Sequence, residues 1–327
     1  MSSVSDQAEL NLKKNPRKFS GKEILSEYGV LLALAVIFIG LSVISPVFLS
    51  VDNILNVLRQ TSINGLLAIG VTFVILTKGI DLSVGSIVAF SGVIAASVAQ
   101  TDTYPLAVVI LIGLLSGIFL GLINGFVVAR WKVAPFIVTL GMMSVARGLT
   151  FVYSNGRPIP GLSEQFQFIG NGAILGIPVP VIILILVFIC CSIVLNKTKI
   201  GRYVYAVGGN EESAVISGVN VKRVKVFVYT ISGLLAGLAG VILTSRVTSG
   251  LPQAGQSYEL DAIAAVVIGG TSLAGGKGRL WGTLVGALFM GVLNNGLDLL
   301  NVSSYYQLII KGLIIVIAVM ADTKSNK

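Results

Sequence analysis

Long apolar runs separated by short polar breaks pattern this chain from end to end. A helix rising about 1.5 Å per residue needs about 20 apolar residues to cross a hydrocarbon layer of about 30 Å. Ten runs approach that length, at 28–49, 54–77, 82–99, 105–129, 134–153, 177–195, 224–244, 259–273, 280–299 and 305–321. The pattern therefore predicts an all-α polytopic membrane protein with about ten transmembrane helices. The eighth run is short and rich in Gly and Ala, which predicts a half-span or a re-entrant piece. The polar ends, 1–27 and 323–327, are expected to be tails, and the first run is too long for a cleavable leader, so it is expected to remain as an anchor.

The break between the second and third runs reads KGIDLSVGS. Lys78 suits the carboxyl end of a helix, Gly79 can adopt the left-handed conformation after it, and Asp81 can cap the helix that follows. Two readings stand side by side: a structural hinge formed by Lys78, Gly79 and Asp81, or a functional half-helix terminus lining a pathway, since carboxylates inside a membrane are costly and usually have a task. Gly113, Gly117, Gly121 and Gly125 recur every fourth residue, and Gly282, Gly286, Gly291 and Gly296 follow with slightly wider spacing. Such ladders let a neighbouring backbone approach closely. Each ladder ends in Asn-Gly, and each follows a helix that opens near an aspartate, Asp81 or Asp261. That order predicts an inverted repeat in which runs two to five correspond to runs seven to ten.

Composition narrows the chemistry. With 54% hydrophobic and 11% charged residues, the chain lies outside ordinary soluble domains. It contains no histidine, which removes His-based triads and haem ligation, and Cys190 and Cys191 are adjacent, the wrong spacing for a staple or a metal site. No metal site and no catalytic residue is expected. The net charge of +9 is explained by topology: from a cytoplasmic start, 18 of the 23 Lys and Arg residues fall in inner segments, Arg59, Arg157 and Arg246 fall outside, and Arg147 and Lys311 lie within runs. Both termini are thus expected to be cytoplasmic, and no nucleic-acid partner is needed.

Two loops stand apart. The outer one, about 155–178, carries three prolines and five glycines and predicts an irregular segment or a short re-entrant helix. The inner one, 196–225, holds most of the polar surface. Within it Asn210 can cap a short helix, Glu211 and Glu212 suit its first turn and Gly218 can end it, leaving a small face of Ala214, Val215 and Ser217 for docking. AGGKGR at 274–279 is no phosphate-binding loop: Thr271 stands where the first glycine is needed, and Gly278 where a Ser or Thr must hold magnesium. Any nucleotide must bind another chain.

The stretches GIDLSVGS, GRYVYAVGGNEESAVISGVNV, YELDAIAAVVIGGTSLAGGKGR and SSYYQLIIKGLI resemble the monosaccharide permeases of bacterial ATP-binding-cassette importers, a likeness running from about 28 to about 322. The resemblance implies the importer permease fold in the inner membrane and a core of two permease copies. It also implies a cytoplasmic ATPase that carries ATP and Mg, an extracytoplasmic sugar-binding protein, and a monosaccharide cargo, with D-ribose the expected sugar. It further implies that the inner loop is a coupling helix, placing Gly209, Asn210, Glu211, Glu212, Ala214, Ser217 and Gly218 at the ATPase. A neutral sugar asks for uncharged hydrogen-bonding groups inside the runs, and Asn64, Asn124, Asn294 and Asn295 are candidates for lining the pathway, with helix-to-helix bonding as their alternative role. Asp298 is read as a possible partner of Arg246 or Lys311. The rival functions are an ion-coupled sugar carrier, which would not need the basic inner loop, and a membrane-embedded enzyme, which would need catalytic carboxylates or a metal.

Overall fold

The protein was analysed as a computed structural model that describes residues 21–100 and 104–325. Most of the tail 1–27 and the last two residues lie outside the described residues. All ten apolar runs are helices. They are α1 (Gly21–Ile44), α2 (Val51–Leu76), α3 (Val84–Ala99), α4 (Leu106–Trp131), α5 (Pro135–Ser154), α7 (Val179–Lys197), α10 (Val221–Val247), α11 (Tyr258–Ile268), α12 (Leu280–Leu299) and α13 (Ser304–Ser325). Among the described residues, seven helices are long and apolar enough to cross a membrane. Three short helices lie between spans: α6 (Glu164–Asn171), α8 (Lys199–Gly209) and α9 (Glu211–Ile216). A two-stranded hairpin, β1 (Ala173–Ile174) with β2 (Ile177–Pro178), completes the described structure.

The spans differ in depth within the bundle. Helix α2 is the most buried of the seven long spans, and α10 and α12 come next, whereas α13 keeps its apolar side chains on the outside. Outer helices in a bilayer face lipid, so an apolar exterior costs nothing there. Helices α4 and α10 cross with their glycines in register. A Cβ built on Gly117 would lie 2.8 Å from the Cα of Gly237, and one on Gly121 would lie 2.9 Å from the Cα of Gly233. No larger residue fits there without parting the helices.

The packing obeys an internal symmetry. Helix α4 packs on α10 as α12 packs on α2, α3 on α4 as α11 on α12, α3 on α10 as α11 on α2, and α3 on α5 as α11 on α13, with α2 against α10 in the middle. The correspondence α2–α5 with α10–α13 accounts for every one of these pairs. Thr61–Ala68 (TSINGLLA) and Tyr229–Ala236 (YTISGLLA) share Ile, Gly, Leu, Leu and Ala in the same order, so Asn64 of α2 matches Ser232 of α10.

Each repeat contains a broken span. The chain leaves α2, runs unwound through 77–83 and enters α3. It leaves α10, runs unwound through 248–257 beside α3, with Gly250 against Val93 and Gly255 against Val88, and only then enters α11. Helix α11 has 11 residues, about 16 Å of rise. The eighth run is therefore a half-span, preceded by the turns of 248–257.

Candidate functional site

Four features carry polar chemistry within or beside the bundle: the hinge before α3, the cluster around Asp261 in the second repeat, the elbow containing α8 and α9, and a cleft between the two half-helices.

At the hinge, Lys78 rather than Gly79 takes the left-handed conformation, at φ 62°. The amide N–H groups of Lys78 and Gly79 return to the carbonyls of Ile75 and Val74 at 2.9 and 3.0 Å, closing α2. Gly79 is needed for space: a Cβ there would sit 2.5 Å from the Tyr229 hydroxyl and 2.8 Å from Val74 Cγ1. Nor does Asp81 act as the helix cap, a position held by Ser83 without a side-chain bond. The Asp81 carboxylate is fully buried, accepts from the N–H and hydroxyl of Ser83 at 3.0 and 2.6 Å, and accepts the Ser232 hydroxyl of α10 at 2.8 Å. Asn124 donates to the same Ser83 hydroxyl at 2.9 Å.

In the second repeat Asp261, also buried, accepts from Lys311 Nζ of α13 at 2.9 Å and from Asn294 Nδ2 at 3.2 Å. Lys311 therefore pairs with Asp261 and not with Asp298, which accepts from Gln307 at 2.9 Å, while Arg246 donates to Asn56 at 2.7 Å. Asn295 and Asn53 exchange amide bonds at 2.7 and 3.0 Å, tying α12 to α2. Asn64, Asn124, Asn294 and Asn295 are thus all buried between helices.

The elbow at 196–225 holds two helices where one short helix was expected. Helix α8 has Thr198 as its cap and packs Val204 and Val207 inward. Its last turn is pressed between the carboxyl end of α2 and the glycine turn after α11: a Cβ on Gly208 would lie 2.6 Å from the Gly276 nitrogen, and the Gly276 N–H donates to the Leu76 carbonyl at 3.0 Å. AGGKGR forms the seat of α8. The Tyr205 hydroxyl donates to the Gly278 carbonyl at 2.9 Å, and burial pushes its phenol above the ordinary value while the nearby Arg279 guanidinium pulls the other way.

Helix α9 projects beyond this seat. Asn210 Oδ1 accepts the Ser213 N–H at 2.9 Å, Gly218 at φ 80° closes the far end, and Glu211 makes a two-oxygen contact with Lys225 at 2.8 and 2.9 Å. Ala214 is buried against the rest of the chain, which corrects its expected place on the docking face. The apolar side chains that face outward are Val215 and Ile216, the latter 87% exposed.

The cleft lies where α3, α5 and the start of α11 meet. It is an open cleft of about 350 Å³, lined by Ser86, Ser144, Arg147, Gln256, Ser257 and Glu259 among others. Its depth follows from the bonds that bracket it. Thr139 of α5 donates to the Ile80 carbonyl at 3.1 Å near one end of the bundle, and Tyr153 meets Ser97 at 2.8 Å near the other. Arg147 stands between those two, about 12 Å of helix rise from the first and about 9 Å from the second. Its Nη1 donates to the carbonyls of Pro252 and Ala254 at 2.9 and 2.8 Å, which pins the unwound segment. The Glu259 carboxylate lies against Gly85. None of the four asparagines expected on the pathway borders this cleft.

Arg147 and Glu259 went unassigned in the sequence because their significance depends on the unwound stretch between 248 and 257. A charged residue in the middle of an apolar run was nonetheless a visible signal.

A helical bundle of inverted repeats, a broken span in each and a polar elbow at one end define a multi-pass membrane permease. The model of the family described as the branched-chain amino acid transport system / permease component matches residues 53–319, and the chain belongs to that family. It is 53% identical over 315 residues to the ribose import permease protein of Haemophilus influenzae, covering 95% of this chain and 97% of that protein. It is 54% identical over 305 residues to the ribose import permease protein of Bacillus subtilis, covering 93% and 94%. Identity is 41% over 300 residues to the L-arabinose ABC transporter permease protein of Azospirillum brasilense, covering 92% and 88%. No solved structure matches the chain.

Proposed function

We propose that this chain is the membrane-spanning permease subunit of an ATP-driven ribose importer in a bacterial inner membrane, working as two copies above a separate ATPase. The sugar assignment rests on identity, which is 53% and 54% to ribose permeases and falls to 41% for the arabinose protein. The end of the bundle bearing α8 and α9 is cytoplasmic, as are both termini, because the Lys and Arg residues gather there. ATP and Mg belong to the ATPase. A binding protein outside the membrane delivers the sugar to the opposite end, where the tip of the β1–β2 hairpin, Leu175, is 97% exposed.

The observation that carries the coupling mechanism is the outward display of Val215 and Ile216 on a helix held rigid at both ends. Asn210, Glu211, Glu212, Ser217 and Gly218 shape that helix, Gly209 links it to α8, and Ala214 anchors it. Closure of the ATPases presses on α9, and the press reaches α2 and the turn after α11 through α8. The bundle then exchanges inward-open for outward-open, a two-state equilibrium biased by nucleotide. A second copy answers a separate need: the polar cleft opens beside α5, an otherwise apolar and exposed helix, and lipid cannot solvate a guanidinium there.

Ile216→Glu tests the coupling. Because the side chain is exposed, insertion and amount of the permease should match the unaltered protein, while ribose uptake by the assembled importer in proteoliposomes should fall at least tenfold. Undiminished uptake would remove α9 from the mechanism. Uptake by the lone chain driven by an ion gradient would favour a secondary carrier instead.

A further inference from the structure

We infer that the mid-depth cleft between α3, α5 and α11 is where the monosaccharide is held in transit, with Glu259 and Gln256 as its direct hydrogen-bonding partners and Arg147 as both a contact and the pin that shapes the site. The inference rests on the transport reading above and goes beyond it by moving the sugar contacts away from the buried asparagines.

Three observations converge. First, the cleft has the size of a small-molecule site, within the range of roughly 300–1,000 Å³ typical of such pockets, and unlike the lipid-facing grooves it presents hydroxyl, amide, carboxyl and guanidinium groups together. Second, Arg147 borders it from within an apolar span, between the Thr139 and Tyr153 contacts, where an ionisable group is expensive unless it faces protein or a water-filled passage. Third, its two charges attract across the cleft without closing an ion pair: among the described residues no cation lies within 4.0 Å of the Glu259 carboxylate, although Arg147 borders the same cleft.

A carboxylate accepts and a guanidinium donates, and the Nη1 bonds to Pro252 and Ala254 still leave the donors of Nη2 and Nε on the Arg147 fork. A sugar hydroxyl can do both. A vicinal diol placed between the two charges donates to Glu259 and accepts from Arg147, while the Gln256 amide, which is exposed, can serve either role. Gly85 matters here through space, because a Cβ on it would overlap the Glu259 carboxylate. The backbone that brings Gln256 and Glu259 to the cleft is the end of the unwound segment and the first turn of the half-helix, so movement of α11 relative to α3 opens or closes the site directly.

The test uses the assembled importer in proteoliposomes with its binding protein. Glu259→Gln and Gln256→Ala are each compared with the unaltered importer for ribose uptake against binding-protein concentration. The expected result is a fall in maximal uptake of at least tenfold for Glu259→Gln and three- to tenfold for Gln256→Ala, with both permeases present in normal amount. A second readout places a thiol in the cleft by Ser144→Cys, in a chain also carrying Cys190→Ala and Cys191→Ala, and follows its alkylation by a small polar reagent during turnover. Saturating ribose should slow labelling at least threefold relative to a sugar that the binding protein does not deliver. Uptake unchanged in both variants, or labelling indifferent to ribose, overturns the site. Failure of the unaltered importer to accumulate ribose would instead overturn the transport reading, so the two failures are distinguishable.

Discussion

The two repeats solve one electrostatic problem in different ways. Each places an aspartate at the start of a half-helix, buried among apolar spans. In the first, Asp81 is met by hydroxyl groups of Ser83 and Ser232, with Asn124 behind them. In the second, Asp261 is met by the ammonium of Lys311 and the amide of Asn294. The contrast teaches that the symmetry constrains backbone and glycine spacing more tightly than it constrains charge. It also makes α13, the least buried span, part of the electrostatics of the second repeat alone, whereas the matching helix α5 meets the first hinge through Thr139 and the Ile80 carbonyl.

Three substitutions would break or sharpen that contrast. Lys311→Met leaves a buried carboxylate without its cation, and losing one partner of such a pair typically costs about 3–5 kcal/mol. The detergent-solubilised protein should lose its monodisperse peak at a markedly lower temperature, and adding Asp261→Asn should restore part of the loss. Equal melting of Lys311→Met and the parent would show that the pair does not hold α13 in place. Gly121→Val forces a branched side chain between α4 and α10, for which overpacking costs of about 1–3 kcal/mol are usual; a melting point unchanged from the parent would mean that the ladder can part without penalty. Asp81→Asn keeps Oδ1 as the acceptor for Ser83 but puts an NH2 donor where the other oxygen accepted the Ser232 hydroxyl, which must turn to accept instead; its effect should be the smallest, about 1 kcal/mol. A larger loss for Asp81→Asn than for Lys311→Met would reverse the comparison.

The spans and both glycine ladders were legible in the sequence because lipid imposes length and apolarity on a single helix, and small residues every fourth position mark one of its faces. Local chemistry also revealed the termini of α9 at Asn210 and Gly218. Pairings between distant residues were not legible. Ser232 meets Asp81 across 151 residues, and Lys311 meets Asp261 rather than the nearer Asp298, because each pairing is fixed by which helices the repeat brings together. Likewise Gly79 was expected to supply backbone freedom, but Tyr229 from another helix made it a matter of room. The cleft was hidden for a related reason: 248–257 carries no periodicity, so nothing local says that it brings Gln256 and the first turn of α11 beside Arg147.

The wedge formed by Gly208, Leu76 and Gly276 has a mechanical consequence. One arm of that wedge leads through the hinge to the first half-helix, the other through the glycine turn to the second, so under the coupling proposed above a single stroke from below would tilt both at once. Loading and release would then be two ends of one rigid rocking movement, leaving little opportunity for the gates to open independently and leak.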